Sequence, residues 1–142
     1  MNDLKKDITA YMNFVCPKCF HKLHECTCSL FPPWNLIFID EMIQDHVRIL
    51  NEKGYLTSGS CEGHYTGQPG ANTAICFAMD FPEIIESTLP DGFKYNKGKH
   101  AVWHFYNAKL SEEKFNIEKA HMLLKLLEWC RTLPVGGFTI RE

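Results

Sequence analysis

Tyr55-Leu-Thr-Ser-Gly-Ser60 and Thr73-Ala-Ile-Cys-Phe-Ala-Met79 decide the fold, because both read as β-strands in a chain otherwise rich in helical patterns. The stretch between them, Cys61 to Asn72, is longer and more Gly-rich than a simple hairpin needs. Loops of that size in a compact domain often carry function. Upstream, a helix is expected from an Asp40 N-cap to Lys53, with Ile39, Met42, Ile43, His46, Val47, Ile49 and Leu50 on its buried side and Gly54 ending it. Downstream, Pro82 to Thr88 suggests a helical turn and Leu89-Pro-Asp-Gly92 a tight turn. Two further strands are expected near Phe93–Asn96 and Ala101–Asn107, joined by Asn96-Lys-Gly-Lys99.

Ser111-Glu-Glu then opens the longest helix, with a serine cap and acidic side chains at its positive end. Its expected apolar stripe is Phe115, Ile117, Ala120, Leu123, Leu124, Leu127, Cys130 and Leu133. Pro134 and Gly136-Gly137 stop it, and Phe138-Thr-Ile140 suggests a last short strand. The expected fold is therefore α+β, a small antiparallel sheet with helices packed mainly on one face.

A different chemistry begins the chain. Leu4, Ile8, Tyr11 and Met12 suggest a short amphipathic helix, followed by Cys16-Pro-Lys-Cys19 and Cys26-Thr-Cys28. Thiolates suit zinc, a borderline-soft ion satisfied by four sulfur or nitrogen donors at tetrahedral angles. A two-residue gap lets Cys16 and Cys19 fold back onto one ion, and Pro17 stiffens that turn. The one-residue gap between Cys26 and Cys28 requires a kink. A Cys3His set using His24 is an open alternative to Cys16, Cys19, Cys26 and Cys28. Lys18 and Lys22 would ease the negative charge of such a centre. Zinc here would be structural, since four protein ligands leave no open position.

The plainer explanations are disulfides and free buried thiols; iron–sulfur ligation stands behind zinc, and unpaired thiols come last. The chain has an odd number of cysteines, seven, and its opening residues Met1 to Asp7 lack the apolar core of a secretory signal, so a reducing, cytoplasmic setting is expected. At 142 residues the expected organisation is a metal-binding segment over 1–30 and an α+β domain over 31–142, forming one compact unit joined through the extended Phe31-Pro-Pro-Trp34. Fifteen basic against 17 acidic residues, a net charge of −2, give no global attraction to nucleic acid or an anionic membrane. A knuckle surface of Lys18, Phe20 and Lys22 would be the local exception for single-stranded nucleic acid. No apolar run is long enough to span a bilayer.

The long loop supplies a candidate ligand site. In Thr57-Ser-Gly-Ser-Cys61-Glu-Gly-His64 the glycines allow close backbone approach, while Ser60, Cys61 and His64 place donors and a potential nucleophile together. The plainer explanation makes Cys61 a small buried residue and His64 an ordinary hydrogen-bonding side chain. A Cys/His pair with no third, orienting group is a weak signal for covalent chemistry. His100 and His104, four residues apart on an expected strand, could join His64 in a second metal or anion site, although two histidines on an edge face are more often solvated or hydrogen-bonded side chains. Edge strands of so small a sheet make a homodimer an expectation.

Leu50-Asn-Glu-Lys-Gly-Tyr-Leu-Thr57, Ser60-Cys-Glu-Gly-His64, Leu89-Pro-Asp-Gly-Phe93 and Leu127-Glu-Trp-Cys-Arg-Thr-Leu-Pro134 resemble segments of small uncharacterised proteins of bacteria and their phages, over about residues 40–134. The loop is also distantly similar to the serine–cysteine–glycine–arginine loop of the wybutosine-synthesising tRNA methyltransferase family, with His64 in place of the arginine. That resemblance implies S-adenosylmethionine-dependent methylation of a tRNA base, with the loop near the active site. Three classes follow from the sequence: a zinc-containing binding or regulatory protein with a small-molecule or protein ligand, an enzyme, and a zinc-knuckle nucleic-acid binder.

Overall fold

Alternation of buried and half-buried residues along Asn72–Phe77 marks the strand around which the sheet is built. The computed structural model describes residues 13–22, 25–26, 28, 37–80 and 83–139. The expected N-terminal helix and the Phe31–Trp34 connection lie outside them. In chain order the elements are β1 (Phe14–Val15), β2 (Ile37–Phe38), a 3-10 turn (Glu41–Ile43), α1 (Gln44–Glu52), β3 (Thr57–Cys61) and β4 (Asn72–Phe77). They continue with α2 (Glu83–Glu86), β5 (Lys94–Asn96), β6 (Ala101–Phe105), α3 (Glu112–Thr132) and a 3-10 turn (Gly137–Thr139).

The main sheet has the order β3-β4-β6-β5 with every pairing antiparallel, and β1 and β2 form a separate antiparallel pair. The fold is α+β as the sequence implies. Ile75 pairs with Val102 across β4 and β6, and both are buried in one cluster with Ile43 and Leu50 from the α1 region and Phe115 and Leu126 from α3. Val15, beside the first cysteine, belongs to that cluster too.

Ser111 caps α3 as expected, its Oγ accepting the Lys114 N–H at 3.3 Å. The buried stripe of α3 differs from the expected one. Ile117 and Leu124 are 54% and 65% exposed, Ala120 is exposed, and Lys119, Met122, Leu126 and Trp129 join Phe115, Leu123, Cys130 and Leu133 inside. Apolar residues occur around much of this helix, so composition leaves its rotation open; packing against α1 and the sheet fixes it. Met42 is likewise exposed, because it lies in the 3-10 turn rather than on an α-helical face.

The two main helices meet at their ends and flanks. His46 Nε2–H donates to the Leu123 carbonyl at 2.7 Å, and burial holds the imidazole below its ordinary pKa. Lys53 Nζ donates to the carbonyls of Cys130 and Leu133, at 2.9 and 2.7 Å, placing a cation at the negative end of α3. The expected strand at Phe138–Ile140 is instead part of the 3-10 turn Gly137–Thr139, with Ile140 outside the described residues. Gly137, at φ +58°, lies against Gly54; a Cβ there would stand 2.0 Å from the Gly54 oxygen. Backbone packing on α1's end wins over strand propensity.

Candidate metal centre and ligand loop

The cysteine segment folds as a knuckle. Val15 and Lys22 form an antiparallel bridge, Phe20 N–H returns to the Cys16 carbonyl at 2.9 Å, and Phe20 takes a positive φ of 59° to close the turn. Glu25 and Cys26 N–H groups then fold onto the Lys22 carbonyl at 2.9 and 3.0 Å. The result brings Sγ of Cys16, Cys19, Cys26 and Cys28 within 4.8 Å of one another, close enough to hold one ion. All seven cysteines are free thiols, so the disulfide explanation fails. The kink expected at Cys26-Thr27-Cys28 has a signature: Cys28 N–H donates back to Cys26 Sγ at 3.2 Å. Lys18 N–H likewise approaches Cys16 Sγ at 3.4 Å. His24 lies outside the described residues.

Proximity of the sulfurs shapes their titration. Burial pushes the Cys16 thiol up, but the Cys19 and Lys18 amides and the Cys26 and Cys19 thiols stabilise its thiolate and bring it down to about 7. For Cys26 the Cys28 amide favours the thiolate, yet burial and the Cys16 and Cys19 sulfurs together push it up to about 12. One negative sulfur is easy to form and further ones are opposed by it. A bound divalent cation reverses that opposition, since a coordinating thiol is deprotonated outright.

Asn13 ties the knuckle to the residues that lead into α1. Asn13 accepts the Ile39 N–H on its carbonyl at 2.6 Å and the Glu41 N–H on its Oδ1 at 2.9 Å, bracketing Asp40. Lys22 Nζ adds a contact to Glu41 at 3.3 Å. Asp40 itself makes no capping bond, contrary to the sequence expectation. Its Oδ2 instead accepts the Glu62 N–H at 3.2 Å and lies 3.0 Å from His64 Nε2.

Asp40 thereby joins the loop, and its carboxylate, Cys61 Sγ and a His64 ring nitrogen lie within 4.8 Å of one another. Sequence reasoning missed Asp40, because its partners lie over twenty residues downstream and its type fits a helix start equally well. The loop is held from beneath by α3. Lys119 Nζ lies 2.9 Å from Glu62 Oε2 and 2.8 Å from the Gly63 carbonyl, with both charged side chains almost wholly buried. Thr73 Oγ1 donates to the Glu62 carbonyl at 2.8 Å and accepts the Tyr106 hydroxyl at 2.6 Å. Burial pushes the Tyr106 phenol up to about 12, which keeps it a donor. Gly63 sits at φ +98°, where a Cβ would stand 3.2–3.3 Å from Tyr106, Thr73 and the Asn72 carbonyl.

Ser60 and His104 take other places. Ser60 borders a cavity of about 190 Å³ that Phe20, Phe38, Val47 and Thr57 also line. His104 Nδ1–H donates to the Gly92 carbonyl at 2.8 Å, and His100, before β6 at φ +53°, bonds Asp80 at 2.7 Å. The three histidines that could have shared a second site thus turn to three different partners, as hydrogen-bonding side chains, and among the described residues they form no cluster. Also among the described residues, no helix is long and apolar enough to cross a membrane. No protein-family model, curated protein or solved structure matches the chain.

Proposed function

We propose that this is a zinc-containing binding or regulatory protein in which the ion has a structural role. Zinc on Cys16, Cys19, Cys26 and Cys28 makes a short irregular segment rigid, and the loop over 57–64 carries the ligand site. The convergence of four sulfurs within 4.8 Å carries this reading. An all-sulfur set favours zinc over hard cations, which prefer oxygen. The Asn13 bonds on either side of Asp40 support the link between the two parts, since they transmit the knuckle's position to a residue of the loop cluster. The bacterial or phage origin belongs to the same proposal and rests on the resemblance of residues 40–134.

Elemental analysis and native mass spectrometry of the purified full chain test it. Zinc should copurify, and the number of ions per chain should fall by one in the Cys16→Ser and Cys19→Ser variants. Intact folding with no metal, or a zinc count unchanged by both substitutions, would refute the structural-zinc assignment. The same spectra would reveal a copurifying small molecule or peptide on the loop.

A further inference from the structure

Asp40, Cys61 and His64 come from two separate stretches of chain and converge on one point at the mouth of the long loop. We propose that they form a second metal site, of the open kind, which takes a zinc-class divalent ion and leaves one coordination position for water or an anionic oxygen donor. This rests on reading the 57–64 loop as a ligand loop, and names the ion through which it binds.

Two features support a metal over the obvious alternative. A cysteine-nucleophile relay would place the imidazole between thiol and carboxylate, one ring nitrogen serving each, so that sulfur and carboxylate stand apart by the ring and two hydrogen bonds. Here the carboxylate oxygen and the sulfur are themselves within 4.8 Å of each other and of the imidazole nitrogen. The three donors enclose a point rather than forming a line. The 3.0 Å between His64 Nε2 and Asp40 Oδ2 is also near the ~3.3 Å edge of a tetrahedron built on bonds of about 2.0–2.1 Å.

The surroundings fit the same role. Asp40 is fixed by the Glu62 N–H, and the loop bearing Cys61 and His64 is clamped by Lys119, so the donors are preorganised by protein bonds. Asp40 is only 12% exposed in its side chain while His64 is 59% exposed, which leaves the cluster reachable from solvent on the histidine side. One thiolate, one carboxylate and a neutral imidazole balance a divalent ion. On binding, Cys61 releases its thiol proton and the ligating imidazole nitrogen presents its lone pair. The mixed sulfur, nitrogen and oxygen set selects zinc or cobalt(II) over magnesium or calcium. Three protein ligands, unlike the four of the knuckle, leave room for an exogenous oxygen.

Counting zinc ions per full chain after dialysis against a zinc buffer separates this inference from the structural-zinc reading. Two ions are expected for the native protein and one for His64→Ala, whose exposed side chain makes it the substitution least costly to the fold. Cys61→Ser is a second variant expected to hold one ion, with circular dichroism confirming the fold of both. If the native count is one, unchanged by His64→Ala and lost in Cys16→Ser, the inference is overturned and the knuckle stands. A single ion lost in His64→Ala but kept in Cys16→Ser supports the inference and removes the knuckle assignment. Native and His64→Ala chains holding equal numbers of ions overturn the second site in every case.

Discussion

The knuckle and the candidate ligand loop are both clusters of metal-type donors, yet they are put together in opposite ways. The four cysteines lie within thirteen residues and need only a bridge between Val15 and Lys22 and a few turn bonds to converge. Asp40, Cys61 and His64 converge because α1, β3 and α3 are already packed. In the first region an ion would create order; in the second, order is in place before any ion arrives. In the knuckle the Cys16 and Cys19 sulfurs oppose ionisation of Cys26, whereas the loop's charges are anchored by a buried Lys119–Glu62 pair. Local clusters suit structural metals, and clusters spanning the fold suit sites that must stay accessible.

The strongest way to break that comparison is to remove the anchor. Lys119→Met keeps much of the side-chain volume but leaves the Glu62 carboxylate buried without its partner, which is expected to cost about 3–5 kcal/mol. Urea unfolding should show the loss as a lowered midpoint at unchanged slope. Metal held by the cysteines should be unaffected. A variant as stable as the native chain would mean that the loop is not organised from beneath, and a variant that also releases the cysteine-bound ion would mean that the two regions are one unit.

How far each region was legible in the sequence follows from the same contrast. Cys16, Cys19, Cys26 and Cys28 carry their geometry in their spacing, so their grouping could be read directly. Strands β3 to β6 and helix α3 were visible from alternation and from the Ser111 cap. Asp40 was not, because a carboxylate before a helix caps it in the usual case and only the folded chain shows its oxygen turned to residues 62 and 64. Lys119 was hidden for the same reason: a lysine in a helix reads as a solvated residue until its buried partner is known. His100 and His104 follow their plainer reading as hydrogen-bonded side chains; the spacing argument for a shared site holds only inside a strand, and His100 lies in the turn before β6.

A smaller effect sharpens the contrast at backbone level. Gly63→Ala places a Cβ at φ +98° and within 3.2–3.3 Å of Tyr106, Asn72 and Thr73, and Thr73 Oγ1 is the atom that holds the Glu62 carbonyl. The strained conformation alone is expected to cost about 1–2 kcal/mol. Thermal unfolding should detect it, and amide exchange should quicken over 61–64 while the knuckle amides keep their protection. Uniform quickening across the chain would mean that Gly63 serves global stability rather than the loop.

The smallest expected effect concerns Asn13, one of the residues that join the regions. Asn13→Ala removes the Oδ1 acceptor of the Glu41 N–H, a cap supplied from the knuckle to the first turn after Asp40, and is expected to cost about 1 kcal/mol. The informative quantity is how that cost changes when the ion is removed. If metal fixes the knuckle and the knuckle fixes Asp40, Asn13→Ala should be costly in the zinc-loaded chain and nearly silent in Cys16→Ser, where the segment bearing Asn13 no longer holds its place. A double-mutant cycle on those two substitutions measures the coupling directly. Equal costs in both backgrounds would show that Asp40 is positioned by α1 alone, and that the two donor clusters share a molecule without sharing a mechanism.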